Sequence, residues 1–223
     1  MTIQKIIVSD KRTNCYLVRD EGTGRCVLID PGEMTGELRA AIDASGHDNF
    51  DYILLTHCHY DHVGAAWEVK ALTGAPVAIY KDDEAGLYRP LVNRTGAHGR
   101  TSMVYPPPDV LLSDGETLQI GKMRFTVLHT PGHTVGGCCY LTETAIFAGD
   151  TLFRGSYGKT NLPTGDAAQM AQSLRTLAAL EGDYLIYAGH GKDTTLSEER
   201  ENNPYMRALT ENLSAVLPVS EGD

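Results

Sequence analysis

Five of the eight histidines fall in three short segments, a grouping that indicates a shared chemical role. The segment His57–His62 reads His-Cys-His-Tyr-Asp-His, whereas His133 and His190 each lie beside glycine. Imidazole nitrogens and carboxylate oxygens both ligate zinc and other divalent first-row ions. A structural zinc takes four ligands and leaves no open position, so a sequence this rich in donors predicts a catalytic pair of metal ions.

The donors within His57–His62 have a spacing that suits two metals at once. With one donor at every second residue, His57 and His59 are expected on one side of an extended loop. Asp61 and His62 are expected where the next helix begins. The segment can therefore serve two neighbouring metal ions.

Three further donors, His133, Asp150 and His190, each follow the carboxyl end of a predicted strand and lie next to glycine. Glycine lets the backbone take tight or left-handed turns and come close to a ligand. Together with His57–His62, these segments predict four loops that converge on one edge of the fold.

The elements that would position these loops come in two similar successions of strands and helices. This order predicts two sheets packed face to face with helices outside. Strands are predicted at residues 3–8, 15–19, 26–30, 52–56, on both sides of the Gly121-Lys122 turn, and at 138–141, 145–148 and 184–188. Helices are predicted at 36–44, from 63 to about 73, after Asp166 and after Asn203, with surface loops at 88–109 and 149–165.

Composition narrows the class of protein. The chain has 223 residues, 42% of them hydrophobic, which favours a single domain covering residues 1–223. Its formal net charge is -10, so nucleic acid is not an expected partner, because binding there depends on Lys and Arg. No apolar stretch has the length of a signal peptide or a membrane helix, so we expect no membrane partner and a cytoplasmic location.

The five cysteines include no Cys-x-x-Cys pair that would indicate zinc or redox work. We interpret them as small reduced side chains in or near the core. Cys58, between two candidate ligands, is interpreted as a spacer.

In their order along the chain, the donor segments resemble the motifs of the metallo-β-lactamase fold superfamily. The resemblance spans most of the chain and implies an α/β fold, the four-layer αββα sandwich. It also implies two ligand sets joined by a bridging carboxylate, Asp150. The implied sets are His57, His59 and His133 for one metal, and Asp61, His62 and His190 for the other. Asp30, in Ile29-Asp30-Pro31-Gly32, matches an early aspartate that supports the site from outside.

Two loops narrow the resemblance to glyoxalase II, the hydroxyacylglutathione hydrolases. These are Gly149–Asn161 and Gly189–Pro204. The resemblance implies that Lys159 binds a carboxylate of a glutathione moiety, and it places Asn161 where those enzymes often have tyrosine. The chain is most similar to a short bacterial type, because few residues follow His190.

The implied reaction is hydrolysis of a small-molecule thioester, possibly derived from glutathione. Two divalent ions, zinc being favoured over iron or manganese, would polarise the carbonyl and share an activated water. Asp61 would orient the resulting hydroxide as the catalytic carboxylate. The oligomeric state is not indicated by any pattern in the sequence.

Three other functions stay open at this point. Persulfide dioxygenases share the fold and much of the Gly149–Gly165 loop, and are implied to use one iron. A lactonase or a β-lactamase would use the same two metals. A non-enzymatic metal-binding protein is a third alternative, although all implied ligands are present.

Overall fold

Two six-stranded β-sheets form the centre of the molecule in a computed structural model that describes residues 1–96 and 104–211. The first sheet has its strands in sequence order, antiparallel from β1 to β3 and parallel from β3 to β6. Its strands are β1 (Thr2–Val8), β2 (Thr13–Arg19), β3 (Cys26–Ile29), β4 (Phe50–Leu55), β5 (Val77–Tyr80) and β6 (Val110–Leu112).

The second sheet follows in the chain. A small hairpin that is not part of this sheet lies between two of its strands in the sequence. In chain order its strands and those of the hairpin are β7 (Thr117–Ile120), β8 (Met123–His129), β9 (Cys138–Leu141), β10 (Ala145–Gly149), β11 (Leu152–Phe153), β12 (Ser156–Tyr157), β13 (Leu185–Ala188) and β14 (Thr194–Thr195). The order in the sheet is β14-β13-β10-β9-β8-β7, with β11 paired to β12 alone. Only β10 and β13 run parallel in this sheet.

Seven α-helices are assigned within the described residues. They are α1 (Gly36–Ser45), α2 (Tyr60–Val63), α3 (Ala66–Thr73), α4 (Glu84–Leu87), α5 (Ala167–Ala178), α6 (Leu196–Asn202) and α7 (Pro204–Glu211). Asp166 caps α5 and Asn203 caps α7 through side-chain oxygens, as predicted. Of these helices, none is both long and apolar enough to cross a bilayer.

Alternation along the strands divides the apolar side chains into layers. In β2, Tyr16 and Val18 face the second sheet, whereas Cys15 and Leu17 face α1 and α3. A third cluster packs the outer side of the second sheet against α5 and α7. The four layers are therefore helices, sheet, sheet and helices, which confirms the αββα sandwich. All five cysteines are buried and unpaired, as the sequence indicated.

Several elements differ from the predicted ones, and β5, β6, β14 and α4 were not predicted. The helix predicted from residue 63 begins earlier and is divided into α2 and α3, because the Ala65 N–H donates to Pro31 O instead of continuing the helical ladder. The 149–165 loop contains β11 and β12, and α6 was not predicted because its sequence has no apolar periodicity. The loop predicted at 88–109 is free of strand and long helix at 88–96 and 104–109, and residues 97–103 lie outside the described ranges.

Candidate metal centre

Seven donor side chains meet at one edge of the sandwich, in the loops that follow β4, β8, β10 and β13. These are the seven predicted metal ligands: His57, His59, Asp61, His62, His133, Asp150 and His190. Segments far apart in sequence thus come together, as expected from the positions of these donors at strand ends. Six of them are buried or nearly so, and the His190 side chain is 28% exposed.

Three imidazoles form the first group. His59 Nδ1 lies 3.0 Å from His57 Nε2 and 3.0 Å from His133 Nε2. Their candidate ligand atoms all lie within 4.8 Å of one another. This arrangement gives one cation three nitrogen donors from two loops.

Asp61, His62 and His190 form the second group. His62 Nε2 lies 3.3 Å from His190 Nε2, and Asp61 Oδ2 lies 3.5 Å and 3.4 Å from these two nitrogens. The group therefore offers two nitrogens and one carboxylate oxygen to a second cation.

Asp150 lies between the two groups. Its Oδ2 is 3.3 Å from His133 Nε2, and its Oδ1 is 3.4 Å from His62 Nε2 and 3.6 Å from His190 Nε2. One carboxylate oxygen thus faces each group, which is the position that a bridging ligand requires.

Hydrogen bonds behind the centre fix the orientation of three imidazoles. His62 Nδ1 donates to Asp30 Oδ2 at 2.9 Å. The Thr56 hydroxyl also donates to Asp30 Oδ2, at 2.7 Å, and so accepts from His57 Nδ1 at 3.1 Å. His133 Nδ1 donates to Lys159 O at 2.7 Å. With Nδ1 occupied, each of these rings presents Nε2 to the centre.

The ionisation of the three histidines in the first group suits metal binding, whereas His62 is protonated in the metal-free protein. Burial and the neighbouring imidazoles lower the pKa of His57 and of His59 well below the usual value, and burial lowers that of His133. These rings are neutral and carry a lone pair at ordinary pH. Burial acts against protonation of His62, but Asp61, Asp150 and Asp30 raise its pKa to about 10.

The donor set itself fits a pair of divalent cations. Asp150 Oδ1 is buried and has no hydrogen-bond partner in the described ranges, a costly arrangement for a carboxylate oxygen. His57 Nε2 and His133 Nε2 each lie 3.0 Å from His59 Nδ1, which carries at most one proton and can donate to only one of them. Cations between these atoms would satisfy both, and the nitrogen and oxygen donors are those that zinc, iron and manganese accept.

A cavity of about 300 Å³ opens onto the centre. Asp61, His59 and His190 lie on its lining, together with Lys159 and Leu162. Asn161, predicted to contact substrate, is exposed and does not line this cavity, whereas Lys159 does.

Two further residues support the centre and were not identified from the sequence. The Thr13 hydroxyl donates to Asp61 Oδ2 at 2.9 Å. The buried Asp83 accepts hydrogen bonds from Cys58 N and from Thr134 Oγ1, next to three of the donors. Asp83 follows β5 by three residues, and because no strand was predicted there, its position at a strand end was not evident from the sequence.

A family model described as the metallo-beta-lactamase superfamily matches residues 8–190. The chain belongs to the metallo-beta-lactamase superfamily. This superfamily member is 33% identical to the hydroxyacylglutathione hydrolase GloC of Haemophilus influenzae over 212 residues, which cover 93% of this chain and 99% of GloC.

Two solved structures of the superfamily also cover nearly the whole chain. The B3 metallo-beta-lactamase BLEG-1 is 31% identical with a TM-score of 0.81, covering 92% of this chain and 99% of its own. TTHA1623 in a di-iron-bound form is 34% identical with a TM-score of 0.79, covering 91% of this chain and 99% of its own. A homologue of this superfamily member thus holds two metal ions.

Proposed function

We propose that this protein is a binuclear metallohydrolase that cleaves thioesters of glutathione with 2-hydroxy acids. The observation that carries the proposal is the pair of donor groups joined by Asp150 at the floor of a cavity that Lys159 lines. GloC, whose name gives this activity, matches along nearly its whole length. We also propose that residues 1–223 form one domain.

The seven donors would hold the cations, and other residues would hold the donors. Bound divalent cations lower the pKa of a water molecule and polarise a carbonyl group. Asp61 would orient the attacking water. The Thr13 hydroxyl donates a hydrogen bond to Asp61 Oδ2 at 2.9 Å and so fixes the rotation of that carboxylate. Asp30 and Thr56 keep His62 and His57 from turning away from the centre.

Lys159 connects substrate recognition with the centre. Its side chain lines the cavity, while its backbone oxygen accepts from His133 Nδ1 at 2.7 Å. An ammonium group suits a carboxylate of glutathione. One residue would therefore position both the substrate and a candidate ligand.

A second candidate function is hydrolysis of a lactone or a β-lactam by the same centre. The observation that favours it is the similarity to BLEG-1, at 31% identity over 92% of this chain. Lys11, Arg94 and Lys159 on the lining of the cavity suit the two carboxylates of a glutathione thioester better than they suit a neutral lactone.

The functions are distinguished by a substrate panel with the metal-loaded protein. The panel contains S-lactoylglutathione, lactones, β-lactams and glutathione persulfide, the last followed by oxygen uptake. We expect the highest kcat/KM for S-lactoylglutathione, lost in Asp61→Ala. Preferred turnover of a lactone or β-lactam would support the second candidate, and oxygen uptake without thioester cleavage would establish a dioxygenase instead.

A further inference from the structure

Two turns that carry cationic side chains are fastened to Tyr60, the residue that follows His59. The Tyr60 N–H donates to Asn93 O at 2.9 Å. The Tyr60 hydroxyl donates to Asp10 Oδ1 at 3.1 Å. The next residue in each turn is a cation, Arg94 after Asn93 and Lys11 after Asp10. Tyr60 therefore fixes both cations relative to the metal centre.

The turn that presents Arg94 is held by buried side chains. Asn93 is fully buried, and its Nδ2 donates to Leu87 O at 3.0 Å. Its Oδ1 accepts from the Thr95 N–H at 3.1 Å and from the Thr95 hydroxyl at 2.7 Å. Between them, Arg94 has a φ of 65°, an uncommon left-handed conformation for a residue with a side chain. Such a conformation at a ligand cavity is a feature that its surroundings impose.

The two cations face the cavity without an anionic partner. Arg94 and Lys11 both line it, close to Asp61 and His59. Within residues 1–96 and 104–211, neither side-chain head makes a hydrogen bond or an ion pair. Asp61 and Asp150 also line the cavity but contact the histidines of the centre, so Arg94 and Lys11 in a chain with a net charge of -10 indicate an anionic ligand.

Arg94 lies beside the metal centre, because it lines the same cavity as His59 and Asp61. Arg94 is half-buried, which strengthens its interaction with an anion relative to a fully exposed side chain.

We propose that Arg94 and Lys11 form a subsite for a carboxylate on the thiol portion of the substrate. The inference rests on the proposed thioesterase function and extends it. Lys159 comes from the loop after β10 in the second sheet, whereas Arg94 and Lys11 come from turns of the first. The cavity is thus cationic on both sides, and glutathione carries two carboxylates. A guanidinium can bind one of them in a bidentate manner.

The first test measures binding without turnover. S-methylglutathione, which carries both carboxylates but no thioester, is titrated calorimetrically into the metal-loaded protein. We expect Arg94→Gln to raise Kd about tenfold or more, and Lys11→Gln to raise it less because Lys11 is exposed. Arg89→Gln is the matched control, because Arg89 belongs to the same turn but is exposed and does not line the cavity.

The second test compares two thioesters that share the lactoyl group. Against S-lactoylglutathione, Arg94→Gln should raise KM with little change in kcat, and Arg94→Lys should restore part of the loss. Against the lactoyl thioester of a neutral thiol, wild type and Arg94→Gln should have equal kinetics. If Arg94 had only a structural role, Arg94→Gln would reduce the hydrolysis of both thioesters alike.

Separate outcomes decide the two proposals. Absence of S-methylglutathione binding, or equal Kd values for Arg94→Gln and Arg89→Gln, would overturn the subsite. Binding that depends on Arg94 without hydrolysis of any thioester would support the subsite and overturn the proposed reaction.

Discussion

The carboxylate of Asp83 accepts a hydrogen bond from the backbone N–H of Cys58 at 2.9 Å, and so holds the short loop between His57 and His59. The same Oδ2 accepts from Thr134 Oγ1 at 2.8 Å, next to His133. One buried carboxylate thus connects the two loops that supply the first donor group. The second group has no contact of this kind with Asp83.

Replacing Asp83 with Asn is expected to weaken metal binding at the first group more than at the second. Asp83 also accepts a hydrogen bond from the Gly136 N–H at 2.7 Å, so an amide would turn its NH₂ toward at least one of three hydrogen-bond donors. Leaving a buried hydrogen bond unmade costs about 1–3 kcal/mol. Metal content after dialysis against a graded chelator series measures the effect. We expect the ratio to fall from two toward one metal per chain.

Asp20→Asn is the matched control for this change. Asp20 accepts from two backbone N–H groups and a threonine hydroxyl, as Asp83 does, but joins two turns away from the centre. The Asp20→Asn variant should retain both metals. Equal losses of metal in the two variants would contradict a specific role for Asp83.

Thr13→Val should lower kcat about tenfold and leave KM nearly unchanged. The buried Thr13 hydroxyl bonds to Asp61 Oδ2, and the loss of one bond to a charged group corresponds to roughly 1.4 kcal/mol. Steady-state kinetics with S-lactoylglutathione test this. Thr13→Ser keeps the hydroxyl and should retain most of kcat, whereas a loss as large as that of Thr13→Val would assign the effect to packing.

Metal binding should release protons. In the metal-free protein Asp61, Asp150 and Asp30 outweigh burial and raise the pKa of His62 to about 10. Protonation of His62 stabilises the metal-free fold fully below a pH of about 6.5, the pKa of histidine in the unfolded chain. This stabilisation is lost as the pH rises through about 10. A metal ion displaces the proton, so affinity should rise by up to about tenfold per pH unit at neutral pH.

Calorimetric titration with zinc in buffers of different ionisation enthalpy measures that release. We expect about one proton per chain from His62, with a further contribution from His190, whose pKa Asp150 and Asp61 raise against the effect of burial. Binding at neutral pH without any proton release would contradict this protonation state.

Gly189→Ala should disrupt the second donor group. A Cβ at Gly189 would overlap Asp150 Oδ1 and lie 2.8 Å from His62 Cε1. Both side chains would have to move, so metal content and activity should fall together. Gly36→Ala is the control, because a Cβ there meets nothing within 4 Å, and two metals retained in both variants would refute the prediction.

Residue type and position were sufficient to predict the sandwich and the convergence of the seven donors from the sequence. His133, Asp150 and His190 stand beside glycine at strand ends, and the order of strands and helices indicates two covered sheets. Asp83 and Thr13 were missed because they act on other segments through hydrogen bonds that only tertiary contacts create. The cytoplasmic location and the contact of Asn161 with substrate stay predictions.

Hydrolysis is proposed to depend on two cations held by the seven donor side chains. Elemental analysis of protein purified without added metal tests this dependence, with S-lactoylglutathione hydrolysis measured on the same samples before and after chelation. We expect close to two metals per chain, loss of activity as they are removed, and recovery on their return. Full activity in metal-free protein would contradict it, and one iron per chain without hydrolysis would favour the dioxygenase.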